Sequence, residues 1–92
     1  MGVSVPSFQQ EHFLGMPYAQ PPLPPALRLR PPASLNTTWA GARNATAYSP
    51  ACISYLSNPF PEVPLGEDCL TLNVIRPAAV KKGSNVPVVV WL

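Results

Sequence analysis

Fourteen prolines in 92 residues constrain this chain more than any other feature of its sequence. The density is close to three times the average usage of roughly 5%. Each proline fixes φ near about −65° and removes a backbone donor. Most of them fall in the first two thirds of the chain, so long helices are not expected there. Residues 21–32 alone hold six prolines. That stretch is expected to run as extended, polyproline-like backbone on a surface, anchored by Leu27 and Leu29.

Around the proline-rich stretch the pattern predicts short strands and loops. Phe13-Leu14-Gly15-Met16 is an apolar run closed by Pro17 and reads as a short strand ending in a turn. Residues 34–46 are polar and turn-rich, with Trp39 as the one large apolar group. Residues 48–56 are expected to hold one or two helical turns before Pro59, Pro61 and Pro64 enforce a loop. From Cys69 to Ile75 the residues alternate. Leu70, Leu72 and Val74 point one way and Thr71, Asn73 and Ile75 the other, the period of a strand, which Pro77 ends. Residues 78–85 form a solvated turn. Residues 86–92 are β-branched without alternation, as in a strand buried on both faces. The two strands, joined by a short polar loop, are expected to make a hairpin leading into a larger sheet.

A chain of this length makes one small domain at most and buries only about 60–65% of its unfolded surface. The net charge of +2 comes from few, scattered ionisable groups. No basic face emerges, which excludes nucleic-acid binding. The pair Cys52 and Cys69, with the sequons Asn36-Thr37-Thr38 and Asn44-Ala45-Thr46, points to an oxidising, secretory compartment. Residues 1–10 carry no signal peptide, and no stretch approaches the roughly 20 apolar residues of a membrane span. The last residues, Trp91-Leu92, lie inside an apolar run with no cap or turn. The sequence therefore reads as truncated at that end, and at the other end as well.

Five ordered motifs carry a resemblance that covers nearly the whole chain. Phe13-Leu14-Gly15-Met16-Pro17-Tyr18-Ala19-Gln20-Pro21-Pro22 resembles the early strand-and-turn motif of the type-B carboxylesterase, cholinesterase and lipase family. Leu27-Arg28-Leu29 resembles the element that follows. Trp39, then Ala45-Thr46, Tyr48 and Cys52, resemble its next stretch. Glu67-Asp68-Cys69-Leu70-Thr71-Leu72-Asn73-Val74 resembles a family signature. Residues 86–92 are similar to the strand that precedes the family's His-Gly-Gly-Gly loop. The similarity is strongest to secreted fungal members. Met16 stands where Ile is usual, a volume-conserving change. Pro24 or Pro25 stands where Gly is frequent, and Thr71 where Tyr is frequent.

The resemblance implies an α/β-hydrolase fold, of which residues 1–92 would form the N-terminal part, ending before the oxyanion loop. It implies a Cys52–Cys69 disulfide closing a loop of sixteen residues, worth about 3 kcal/mol by loop entropy. In relatives that loop overhangs the active-site gorge. Tyr55, Leu56 and Phe60 would then form an apolar lip for the substrate, against the plainer reading of a surface loop. Arg28 and Glu67 match an ion pair of the family, expected here to be buried and bidentate and to pin the proline-rich segment to the base of the loop.

Other chemistry is poorly supported. Glu67 and Asp68, adjacent on a strand, would point to opposite faces and not share a substrate. His12 is the only histidine and precedes the first motif, whereas the family's catalytic histidine comes late. None of the serines sits in a Gly-x-Ser-x-Gly elbow. One histidine and two paired cysteines make no metal site, and no cofactor is expected. The Pro22 to Pro25 repeat lacks the arginine that a WW or SH3 ligand would carry. The expected function is therefore that of a fragment of a serine carboxylic-ester hydrolase, acting on small-molecule or lipid esters in its full-length form, with no catalytic residue of its own. The alternatives are a non-catalytic, cholinesterase-like adhesion or binding domain, and a non-functional gene fragment.

Overall fold

A computed structural model describes residues 1–23, 25–55 and 61–92. The chain opens with a hairpin. Val3-Ser4-Val5 forms β1 (Val3–Val5). Pro6 cannot donate to a ladder but suits the first position of a helical turn, and a 3₁₀ turn runs over Pro6–Phe8. Gln9 closes it in the left-handed region, φ 52°, and its N–H donates to the Pro6 carbonyl at 3.1 Å. The chain then returns as β2 (Gln10–Pro17), antiparallel to β1 with Val3 opposite His12.

Two two-residue strands follow, β3 (Ala51–Cys52) and β4 (Leu65–Gly66), and then β5 (Thr71–Pro77). The alternating run is thus a strand, and Pro77 is its last residue. The main sheet has the order β1-β2-β5, all antiparallel, with β2 at its centre. That position explains why β2 is twice as long as its apolar run. Polar Gln10, Glu11 and His12 are paired on both sides, and the ladder extends the strand where hydrophobicity does not.

The β2–β5 ladder contains a bulge. Phe13 faces Val74 and Met16 faces Leu72, so Leu14 and Gly15 together oppose Asn73. Gly15 takes φ +64°, and its N–H donates to the Asn73 side-chain carbonyl at 2.9 Å. This is the two-against-one arrangement of a bulge with glycine in the left-handed region. The Leu14 N–H, on the β1 side of β2, donates to the Ala45 carbonyl at 2.9 Å, while the Ala45 N–H donates to the Met1 carbonyl at 2.8 Å. Residues 43–49 therefore lie as a strap across β2. Among the described residues Leu14, Ala19 and Ala45 are the buried apolar ones, Leu14 and Ala45 being joined by the hydrogen bond between them.

Four expectations need correction. The polyproline reading fails over residues 25–29, which form a turn. Leu27 N–H bonds the Leu23 carbonyl at 3.2 Å, and Leu29 sits at φ 59°, 98% exposed. Residues 26–30 contain no proline, so their donors can close a turn between the flanking proline pairs. Leu29 anchors nothing. Second, residues 48–55 form no helix, because the Ala51 N–H is committed to the Pro64 carbonyl at 2.8 Å. Third, β5 makes no hairpin with residues 86–92, since its partner is β2, far earlier in the chain. Fourth, residues 86–92 form no strand and are exposed, Val89 at 90% and Trp91 at 94%. β-propensity expresses packing against neighbouring strands, and among the described residues none pairs with this run.

The chain is correspondingly open. Its radius of gyration is 15.4 Å, against about 13 Å for a compact 100-residue domain. Leu72, Val74 and Ile75 on β5 are 42%, 42% and 53% exposed. No helix of the described residues is long and apolar enough to cross a membrane.

A Cβ at Gly15 would lie 2.7 Å from the Ala47 carbonyl oxygen, whereas one at Gly83, φ +89°, would meet nothing within 4 Å. Gly83→Ala therefore carries only the left-handed backbone cost of about 1 kcal/mol. Gly15→Ala adds a backbone clash and is expected to lose about 2–4 kcal/mol in total. Urea unfolding of the two variants checks the order. Equal midpoints would show that the strap does not press on the bulge.

Candidate functional site

The residues singled out by sequence converge at the root of the loop between β3 and β4. Pro50 precedes β3 and Pro64 precedes β4, so both strands begin where a proline has restricted the backbone. They pair in parallel, Ala51 with Leu65 and Cys52 with Gly66. A parallel pair needs a crossover of about a dozen residues, and residues 53–64 supply it. Gly66 lies against Pro50, where an added Cβ would come within 3.1 Å of the Pro50 Cβ. A two-residue ladder has little strength of its own. Cys52 and Cys69 close it covalently, with their Cα atoms 5.1 Å apart across 17 positions. Cys69 stands just before β5, so the bond ties the loop to the main sheet.

Arg28, on the 25–29 turn, reaches this same root. Its Nη2 lies 3.1 Å from the Glu67 Oε1. The pair is not buried as expected: the two side chains are 59% and 35% exposed. The turn carries Arg28 at the surface, and Glu67 sits on the bend between β4 and β5, where solvent reaches both. A solvated pair of this kind contributes about 0–1 kcal/mol. Glu67 and Asp68 also lie outside any strand, so opposite strand faces do not account for their separation. Glu67 is engaged with Arg28, and Asp68 is exposed.

The turn, the disulfide and the start of the loop enclose an open concavity of about 550 Å³, bordered by Arg28, Leu29, Cys52, Ile53, Tyr55 and Glu67. Two apolar side chains stand on its edge beside the Arg28–Glu67 pair, Ile53 67% exposed and Tyr55 fully so. Of the expected lip, Tyr55 projects here. Leu56 and Phe60 lie outside the described residues. Asn36 and Asn44 are both exposed.

No nucleophile–base pair forms among the described residues. His12 is half-buried in the middle of β2, its Nε2 3.1 Å from the Gln10 Oε1. Ser49 shares a hydrogen bond with the Thr71 hydroxyl, and the Ser84 hydroxyl accepts the Lys81 N–H at 3.1 Å. The described residues hold no cluster of three or more acidic, histidine or cysteine side chains that would ligate a metal.

The better-built ion pair was not foreseen. Glu11 and Arg76 face each other across β2 and β5. Arg76 donates from Nε at 2.8 Å and from Nη2 at 2.6 Å to the Glu11 Oε2, and its guanidinium lies 5.3 Å from the Phe13 ring centroid. Opposite charges directly across a ladder stabilise it, and the ring adds a cation–π contact. Only the register brings these residues together, and register is not visible in either strand alone.

With this geometry in view, comparison with known proteins is specific. The model of the carboxylesterase family matches residues 2–92. The chain is 40% identical to the cocaine esterase of Oryctolagus cuniculus over 87% of its length, which is 16% of that protein. It is 36% identical to lipase 4 of Diutina rugosa over 89% of its length, 18% of that protein. The crystal structure of Aspergillus niger EstA superposes with a TM-score of 0.76 at 34% identity, covering 94% of this chain and 16% of EstA. The chain thus spans about a sixth of the length of the proteins it resembles.

Replacing Cys52 and Cys69 together by serine is expected to lower unfolding free energy by about 3 kcal/mol. Arg28→Gln is expected to cost less than about 1 kcal/mol. Denaturant titration of both variants tests the ranking. A larger loss from Arg28→Gln than from the cysteine pair would reverse the assignment of what holds the loop.

Proposed function

Because the chain belongs to the carboxylesterase family, we propose that it is the N-terminal part of a serine carboxylic-ester hydrolase, with the catalytic residues carried by the rest of that protein. Its strands are part of an α/β-hydrolase fold. The observation that carries the proposal is the extent of the likeness to EstA, which takes in 94% of this chain and 16% of that one. Such a share suits a scaffold segment, and the one histidine agrees with it, tied as it is to a glutamine.

In the complete protein a serine hydroxyl would attack the ester carbonyl, the alcohol would leave, and water would release the acid from the acyl-enzyme. Residues 86–92 would lead into the loop whose backbone N–H groups stabilise the oxyanion. The part played by this chain is architectural. The main sheet supports the strands that follow, and the disulfide holds the loop of residues 53–64 beside the substrate. Tyr55, with Leu56 and Phe60, would form an apolar lip for the acyl or alkyl group of a small-molecule or lipid ester. The Arg28–Glu67 pair would set the angle at which the proline-rich turn meets that loop. A secreted protein suits the disulfide and the sequons at Asn36 and Asn44, where glycans would be attached.

The purified 92-residue chain is expected to hydrolyse p-nitrophenyl butyrate no faster than buffer and to take up no fluorophosphonate label. A chimera in which the chain replaces the matching segment of EstA is expected to do both. Labelling of the isolated chain, or a folded chimera with no activity, would contradict the proposal.

A further inference from the structure

The two sequons sit in unlike backbone. Asn36, Thr37 and Thr38 are exposed and irregular, and among the described residues their backbone makes no hydrogen bond. The sequon at Asn44 is clamped at its middle residue. Ala45 is 7% exposed, donates to the Met1 carbonyl at 2.8 Å and accepts from Leu14 at 2.9 Å. Two residues on, the Ala47 carbonyl packs on Gly15, so closely that a Cβ there would come within 2.7 Å of it. Asn44 and Thr46 are themselves exposed, so an attached glycan has room. Its attachment is another matter. The glycosylating enzyme reads the asparagine amide and the hydroxyl two residues later together, and must draw the backbone between them into its own cleft. At Asn36 no backbone hydrogen bond to a described residue holds that stretch. At Asn44 it is the backbone that holds the strap on β2.

We propose that Asn44 accepts an N-linked glycan only before residues 43–49 dock on β2, whereas Asn36 stays an acceptor in the folded chain. In the transfer, the asparagine amide nitrogen attacks the anomeric carbon of a lipid-linked oligosaccharide. An N–C bond forms, the C–O bond to pyrophosphate breaks, and the lipid pyrophosphate leaves with the electron pair. The amide proton passes to a base of the enzyme. The same chemistry applies at both sites; what differs is the local opening that must precede it at Asn44. The inference rests on the sequon part of the proposed function and not on ester hydrolysis or on secretion, because enzyme and donor are supplied in the test.

The folded, disulfide-intact chain and a synthetic peptide of residues 30–50 are each incubated with a single-subunit eukaryotic oligosaccharyltransferase and its lipid-linked donor. Occupancy is read by mass spectrometry. In the peptide the two asparagines are expected to be modified within about threefold of each other. In the folded chain the Asn44-to-Asn36 ratio is expected to fall at least tenfold, with Asn36 still modified. Amide hydrogen exchange supplies a second reading, with Leu14 and Ala45 protected and residues 36–38 exchanging as in the peptide. An unchanged ratio, loss of Asn36 along with Asn44, or an unprotected Ala45 amide would overturn the proposal.

Discussion

The hydrogen bond from the Leu14 amide to the Ala45 carbonyl lies beside the point where the β2–β5 ladder slips by one residue at Gly15, and the two together seat residues 43–49 on β2. The Leu14 donor, on the side of β2 away from β5, holds residues 43–49 against the strand. Gly15 allows this twice over, by adopting a left-handed φ and by leaving space for the Ala47 carbonyl. The buried residues Leu14 and Ala45 are the two ends of that one bond. A bulge in a central strand is here the means by which a distant, polar segment becomes part of the core.

The disulfide does a different kind of work. The main sheet holds by many backbone bonds, each modest in net effect. The parallel pair of β3 and β4 has two residues in each strand and a twelve-residue crossover between them, an arrangement whose closure entropy a short ladder does not offset. The covalent bond removes that cost from the unfolded state instead of adding contacts to the folded one. It also fixes the loop to Cys69, two residues before β5, so the concavity beside Arg28 and Tyr55 keeps its position relative to the main sheet. The ion pair at the same root is solvated and orients more than it stabilises.

Half-covered strands, an exposed apolar stretch over residues 86–92 and a small core suit the proposal that the chain contributes surfaces to a larger sheet. This agrees with a length of about a sixth of its relatives. It also explains why the chemistry proposed for the complete protein finds no triad among these side chains. In that proposal the sheet, the tethered loop and the Ile53–Tyr55 edge would help to position a substrate, and the groups that react with it would belong to other segments.

The reading of residues 69–75 as a strand stopped by a proline needed nothing beyond the chain, because alternation and a missing donor are local properties. The family was legible for the same reason: its motifs are short runs of residues with their own spacing. Local pattern failed where a partner decides. Residues 86–92 have every preference for a strand and form none, since no other strand lies alongside them among the described residues. Leu29 was expected to anchor and is bare, because the turn from Leu23 to Arg30 closes through donors that the count of prolines obscured. The β1–β2 hairpin, the Glu11–Arg76 pair and the clamp on Ala45 depend on register between segments far apart in the chain, and register is a property of pairs. Composition and short-range spacing thus determined which segments can be strands or turns and which family they belong to. Tertiary structure alone decided which strands meet, in what register and with which backbone groups left over, because a backbone hydrogen bond has an energy only once both of its ends are in place.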